Sequence, residues 1–296
     1  MRKIIVFLAV CALSLFAKPV VTTSILPTKF FVEQIAGDTL DVNAMVGKGA
    51  DPHTYEPKPK QMKELEKSEL YFAIGIEFEN AWLDRFSKTF KNLRIVKTQE
   101  GIEKIAMSEE HKHEEHHEHK HEHHDHEGEH HHHHHDGLDP HIWLDPILVK
   151  TQADNIAKAL IEKFPQNAKL YEENLAKFKA SLDELDGFIK NELKDVKTRE
   201  FIVYHPSWGY FAKRYNLEQI AIEIEGKEPK PAELKELIEE AKEHGVKVIF
   251  VAPQFPTKAA NLIAKETGAK VVTIDQLPEN WLAEMKKTAE IFAKSL

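Results

Sequence analysis

Histidine dominates the chemistry on offer in this sequence. Of 19 histidines, 15 lie between Ser108 and Gly137: His111, His113, His116, His117, His119, His121, His123, His124, His126, His130, His131, His132, His133, His134 and His135. Ten carboxylates and two lysines, Lys112 and Lys120, accompany them. Neutral imidazole is the commonest transition-metal ligand, and imidazole mixed with carboxylate suits Zn, Cu, Ni or Co better than Mg or Ca. The tract has almost no apolar residues, so it cannot bury enough surface to offset ordering of the chain. A mobile loop that collects metal with low specificity is expected. The run His130 to His135 reads like a purification tag, but it is internal and continuous with the longer mixed tract. The literal H-E-x-x-H from His113 to His117 arises by chance in so repetitive a segment; a metalloprotease would need it on a packed helix.

Four histidines lie outside the tract. His53 sits in the Gly- and Pro-rich loop GADPHTYEPKP, His141 in LDPHIWLDP, and His205 directly after the strand-like FIVY. Asp275 follows KVVTI as His205 follows FIVY. Taken singly, a loop histidine is usually solvated, and an aspartate after a strand commonly caps a helix or shapes a turn. Taken together, three imidazoles and one carboxylate would suit tetrahedral zinc. His244, on a polar helix beside Gly245, reads as a solvated helix-end residue. Glu223 and Glu225, in IEIEGKEP, either lie behind such a site or belong to a surface loop. Cys11 is the only cysteine, so thiolate zinc sites are excluded.

The elements that must position these residues follow from periodicity. Strands are expected at Val20–Ile25, Leu40–Val46, Leu70–Ile74 and Arg94–Lys97, with helices at Thr28–Ala36, Pro59–Lys67 and Glu79–Phe90. Helical periodicity then dominates from Pro146 to Leu193, with Pro165 opening a second segment. Within that segment Tyr171, Leu175, Phe178, Leu182, Leu185 and Ile189 form an apolar seam. Alternation resumes with strands at Phe201–Tyr204, Leu217–Ile222, Val246–Ala252 and Lys270–Ile274. Helices at Pro206–Tyr215, Pro231–His244, Thr257–Thr267 and Trp281–Lys294 separate and follow them. The fold class is α/β: two lobes, each with a mainly parallel sheet flanked by helices, and a long helix bracing them. Ligands of parallel sheets sit outside the carboxyl ends of the strands, so a site in the cleft between the lobes is expected.

The N-terminus carries Arg2 and Lys3, then apolar Ile4 to Phe16, then a small residue at Ala17. This reads as a signal peptide over 1–17 and implies an exported, periplasmic chain. The run before Cys11 comes too early and has Val ahead of the Cys, so no lipid anchor is expected there. The remaining division is an N-terminal lobe over 18–146 that contains the tract (108–137), a connecting helical region over 147–195 and a C-terminal lobe over 196–296. Net charge is −9, most of it in the tract. No basic face suggests nucleic acid, and no G-x-x-x-x-G-K-[ST] loop suggests an ATPase. A monomer is the expectation.

GADPHTYEPKP, DPHIWLDP, FIVYHPSWGYFAKRY, EGKEPKPAEL and TIDQL occur in an order that resembles the cluster A-I solute-binding proteins of metal ABC importers. Within that group the chain is most similar to the periplasmic zinc-binding subunits, whose members often carry a His/acid-rich loop at this place. The resemblance implies Zn2+ as transported ligand, an inner-membrane ABC permease as partner, and metal positions at His53, His141, His205 and Asp275. In manganese-binding relatives the third position is usually Glu; His205 here favours zinc through softer ligand character. Some zinc members have a disulfide in the second lobe, which this chain cannot form. The reading is capture and delivery, with the tract as an auxiliary collector and no catalysis. The same role for manganese, iron, nickel or cobalt, a zinc hydrolase, and a periplasmic zinc buffer or storage protein stand as alternatives.

Overall fold

The computed structural model describes residues 17–107, 137–224 and 227–296. Residues 1–16 of the expected signal peptide, the tract over 108–136, and Glu225 lie outside them. The first sheet is built from β1 (Val20–Thr23), β2 (Asp41–Ala44), β3 (Ser68–Ala73) and β4 (Arg94–Lys97). Its strands are all parallel, in the order β2-β1-β3-β4. The helices α1 (Leu26–Ala36), α2 (Pro59–Leu65) and α3 (Glu77–Thr89) connect them.

Next come α4 (Pro146–Lys163) and α5 (Ala168–Leu193), separated by one 3-10 turn at Pro165–Asn167. Asp145 caps α4, its Oδ1 accepting from the amides of Ile147 (2.8 Å) and Leu148 (3.3 Å). Lys150 pairs with Asp183, and Asp154 with Lys179. The numbers rise on one helix and fall on the other, so the two form an antiparallel hairpin. The early part of α5 holds the first lobe: Asn174 donates to the Ile35 carbonyl and Tyr171 shares a hydrogen bond with Thr39. Its later part holds the second lobe: Asp186 accepts from the Tyr215 hydroxyl. At 26 residues the helix is about 39 Å long at 1.5 Å per residue, enough to brace both.

The second sheet repeats the topology of the first. Its strands β5 (Glu200–Val203), β6 (Glu218–Ala221), β7 (Val248–Val251) and β8 (Lys270–Thr273) run parallel in the order β6-β5-β7-β8. They are joined through α6 (Gly209–Tyr215), α7 (Pro231–Glu243) and α8 (Lys258–Thr267), and α9 (Trp281–Ser295) closes the fold. The helix expected from Pro206 starts at Gly209 because the chain first turns: the Ser207 amide donates to the His205 carbonyl and the Trp208 amide to Gln219 Oε1. Period-two alternation divides the core. Phe201 and Val203 face a cluster that also holds Phe292 and the interior of the first lobe, while Ile202 and Tyr204 face a second cluster under α7 and α8. One apolar core therefore runs through both lobes. No described helix is long and apolar enough to cross a membrane.

Candidate metal centre

Both sheets reverse direction of build between their first and third strands, and the crevice at such a switch point is where α/β sheets bind ligands. In the second sheet, β5 delivers His205 and the loop after β7 delivers Phe255. The two rings stack with centroids 4.7 Å apart. In the first sheet, the turn after β3 leads into the first turn of α3 and Glu77. That turn is fixed by buried Glu79, which accepts from the amides of Ile74 (2.9 Å) and Gly75 (2.8 Å) and from Ser24 Oγ. Gly75 has φ +82°, and a Cβ there would meet Lys104 Nζ at 2.8 Å, so the turn requires glycine.

His53, His141 and His205 come together in this crevice. Their ring centroids are 4.6 Å (His53–His205), 5.1 Å (His141–His205) and 5.4 Å (His53–His141) apart. One ligand atom from each lies within 4.8 Å of the others, the one such group of three or more metal-ligating side chains among the described residues. His141 is completely buried, His205 is 8% exposed, and the His53 side chain is 16% exposed.

Each imidazole is held from behind by a different carboxylate. His53 Nδ1 lies 2.6 Å from Glu77 Oε2, His141 Nδ1 2.7 Å from Asp139 Oδ1, and His205 Nδ1 2.9 Å from Glu223 Oε2. With every Nδ1 taken, the free nitrogens are the three Nε2 atoms. His205 Nε2 and His141 Nε2 face one another at 3.3 Å, and His53 Nε2 is buried without a hydrogen-bond partner. Two nitrogens each about 2.0–2.1 Å from one tetrahedral ion stand about 3.3–3.4 Å apart. Carboxylate at one ring nitrogen fixes the tautomer, orients the ring and makes the other nitrogen a better donor.

Electrostatics act in opposite directions on His53 and His141. Burial alone would lower the His53 pKa, but the hydrogen bond and charge of Glu77, with Asp51 and Glu223, outweigh it and leave the pKa raised. Burial pushes Glu77 up, and its bond to His53 overrides this and brings it down to about 2. Burial, followed by the charges of His205 and His53, holds His141 well below the usual histidine range. Burial likewise raises Asp139 to about 7, against the hydrogen bond from the His141 amide. A nitrogen that stays neutral is ready for a metal.

Asp275 stands apart from the cluster: its carboxylate is not among the atoms within 4.8 Å of one another. Its Oδ1 accepts from the Leu277 amide (2.9 Å) and Gln254 Nε2 (3.1 Å), the turn-forming arrangement common for Asp after a strand. Gln254 is the neighbour of Phe255, so the loop after β7 touches both Asp275 and His205. His244 caps α7 and pairs with Glu200 at 2.5 Å, outside the cluster. Glu77 and Asp139 are not singled out by sequence reading. A signal for Asp139 exists: D-P-H occurs at Asp51–His53 and again at Asp139–His141, and in both the aspartate Oδ1 accepts the amide of the histidine two residues on (2.9 and 2.8 Å). Nothing in spacing points to Glu77.

Comparison with known proteins places this fold in a family. The family described as ZnuA, zinc-uptake complex component A, periplasmic, matches residues 21–295. The chain belongs to this family. The high-affinity zinc uptake system protein ZnuA of Bacillus subtilis (strain 168) is 34% identical over 261 residues, covering 87% of this chain and 78% of its own length. The zinc-binding protein AdcA of Streptococcus pyogenes serotype M3 (strain ATCC BAA-595 / MGAS315) is 31% identical over 277 residues. That match takes in 92% of this chain but 53% of AdcA, so the chain spans about half the length of that relative. The crystal structure of ZnuA superposes with a TM-score of 0.83 at 40% identity, covering 94% of this chain and 99% of the other. A ZnuA deletion mutant with zinc bound gives a TM-score of 0.81 at the same identity, covering 94% and 98%. Membership of this family makes the chain a component of zinc uptake rather than an enzyme.

Proposed function

We propose that this protein captures zinc outside the cytoplasm and hands it to the membrane permease of an ABC importer. His53, His141 and His205 hold the ion through Nε2, and Asp275 supplies the fourth donor. The observation that carries this reading is the set of three carboxylate-backed imidazoles with inward Nε2 atoms, two of them at the 3.3 Å separation of ligands that share one ion. Three imidazoles favour zinc over manganese, whose sites are richer in oxygen. The zinc-binding relatives and the zinc-bound neighbour support the same metal. The leader directs the chain to the periplasm, where it acts as a monomer, and the histidine/acid tract gathers zinc weakly beside the tight site.

A competition titration of zinc against manganese tests this, on the full chain and on variants His205→Ala and Asp275→Ala. One tight equivalent selective for zinc, weakened at least about tenfold by either substitution, is expected. Equal affinity for manganese would sink the metal assignment. Unchanged affinity in Asp275→Ala would hand the fourth position to water.

A further inference from the structure

The second lobe takes hold of the residue that orients His141. Asp139 Oδ1 accepts both the amide (2.8 Å) and Nδ1 (2.7 Å) of His141. Its backbone carbonyl accepts from the Tyr210 hydroxyl at 2.8 Å, and the same hydroxyl accepts from the Ile105 amide at 3.1 Å. The Asp139 amide closes the ring by donating to the Ile105 carbonyl at 2.8 Å. One residue earlier on α6, a Cβ at Gly209 would stand 2.8 Å from Asp139 Oδ2. Asp139 is thus held at its main chain by Tyr210, and its carboxylate packs close against Gly209, with Asp139 and Tyr210 both buried. Burial raises the Tyr210 pKa to about 12, so the hydroxyl keeps its proton and remains a donor.

The same hydroxyl also stands at the foot of the histidine/acid tract. Ala106 and Leu138 form an antiparallel bridge, and the Met107 amide donates to the Gly137 carbonyl at 3.2 Å. The described residues on either side of the tract therefore meet, and this pairing continues through Ile105 and Asp139 to Tyr210.

We propose that Tyr210 and Gly209 are positioning residues that fix the Asp139–His141 pair from the opposite lobe and hold the foot of the tract beside it. The proposal rests on the zinc reading above. Loss of the hydroxyl leaves the buried Asp139 carbonyl and the part-buried Ile105 amide without that partner, and the carboxylate can then drift off the His141 ring. Added volume at Gly209 displaces the carboxylate directly.

The test is zinc affinity of the first equivalent bound by the full chain, measured against a chelator, for Tyr210→Phe and Gly209→Ala. Cobalt(II) absorption at the same site reports its geometry. Tyr171→Phe, which removes a buried hydroxyl on α5 away from the site, is the control. Tyr210→Phe should weaken zinc about 3- to 10-fold, less than the about 10- to 100-fold that follows loss of an orienting carboxylate, and Gly209→Ala at least as much. Both should shift the cobalt spectrum, and Tyr171→Phe should do neither. Wild-type affinity and spectrum in both variants would overturn the proposal, as would an equal loss in Tyr171→Phe. Absence of a tight first equivalent in the unaltered protein would instead bring down the zinc reading itself.

Discussion

The indole Nε1 of Trp143 donates to the backbone carbonyl of Gln276 at 2.7 Å. Trp143 lies two residues after His141, and Gln276 directly follows Asp275. Trp281 Nε1 answers by donating to the Trp143 carbonyl at 2.9 Å. All three residues are fully buried, so the turns that carry ligand candidates from the two lobes are fastened to one another by indole hydrogen bonds inside a shared core.

Such fastening predicts little motion. Solution scattering of the metal-free and zinc-loaded protein should be nearly superimposable, and a large domain rotation would contradict the braced arrangement. Trp143→Phe strands a buried carbonyl and leaves unfilled volume. It should cost about 3 kcal/mol or more in urea unfolding.

The carboxylates behind the rings should matter nearly as much as the rings. Glu77→Gln and Glu223→Gln keep the shape but lose the charge that fixes each imidazole. Each should weaken zinc about 10- to 100-fold in a chelator competition while secondary structure by circular dichroism stays unchanged. Affinity within about twofold of the parent would mean the pairs merely fill space.

Protons and zinc compete for the same ring nitrogens. Because the His53 pKa is raised above 6.5, zinc affinity should begin to fall at a pH above that value as the solution is acidified. In Glu77→Gln burial is left dominant, so the onset should move to lower pH. In the metal-free protein the pair also carries linkage. His53, raised in the fold, contributes stability that is complete below 6.5 and lost as pH rises through its folded pKa. Glu77, depressed in the fold, contributes stability present above 4.5 and lost as pH falls towards about 2. The stability difference between parent and Glu77→Gln should therefore peak between pH 4.5 and 6.5 in denaturant titrations at stepped pH.

Removal of residues 108–136 should lower zinc stoichiometry and leave one tight site. Calorimetry on the parent and the deletion compares them directly. If the tight site vanished with the tract, the division between collector and site would be untenable.

Much of this molecule is legible in its sequence because its elements obey simple periods. Val248–Val251 is an unbroken apolar run because it is buried on both faces, and the seam from Tyr171 to Ile189 marks α5 before any contact is known. The three histidines stand out because each lies outside the tract in a punctuated segment: His53 in a Gly- and Pro-rich loop, His141 just before the 3-10 turn at Ile142–Leu144, and His205 just after β5. Glu77 could not be read: it lies 24 residues from His53, on the first turn of a helix where an acidic residue is ordinary, and only the parallel crossover brings it behind the ring. Tyr210 was hidden for the same reason, since an aromatic on a short helix next to a strand reads as core, and its partners at Ile105 and Asp139 are set by how two lobes meet.

The pairing of Met107 with Gly137 has a consequence for how this protein can vary. The described residues on either side of positions 108–136 are paired with one another. The entropy of closing a flexible loop grows only logarithmically with its length, about 0.6 kcal/mol for each doubling. With its flanks paired in this way, an insert of different length or composition between them should change the stability of the rest of the molecule little. The fold can thus accept a changed insert there while the scaffold around its flanks stays the same.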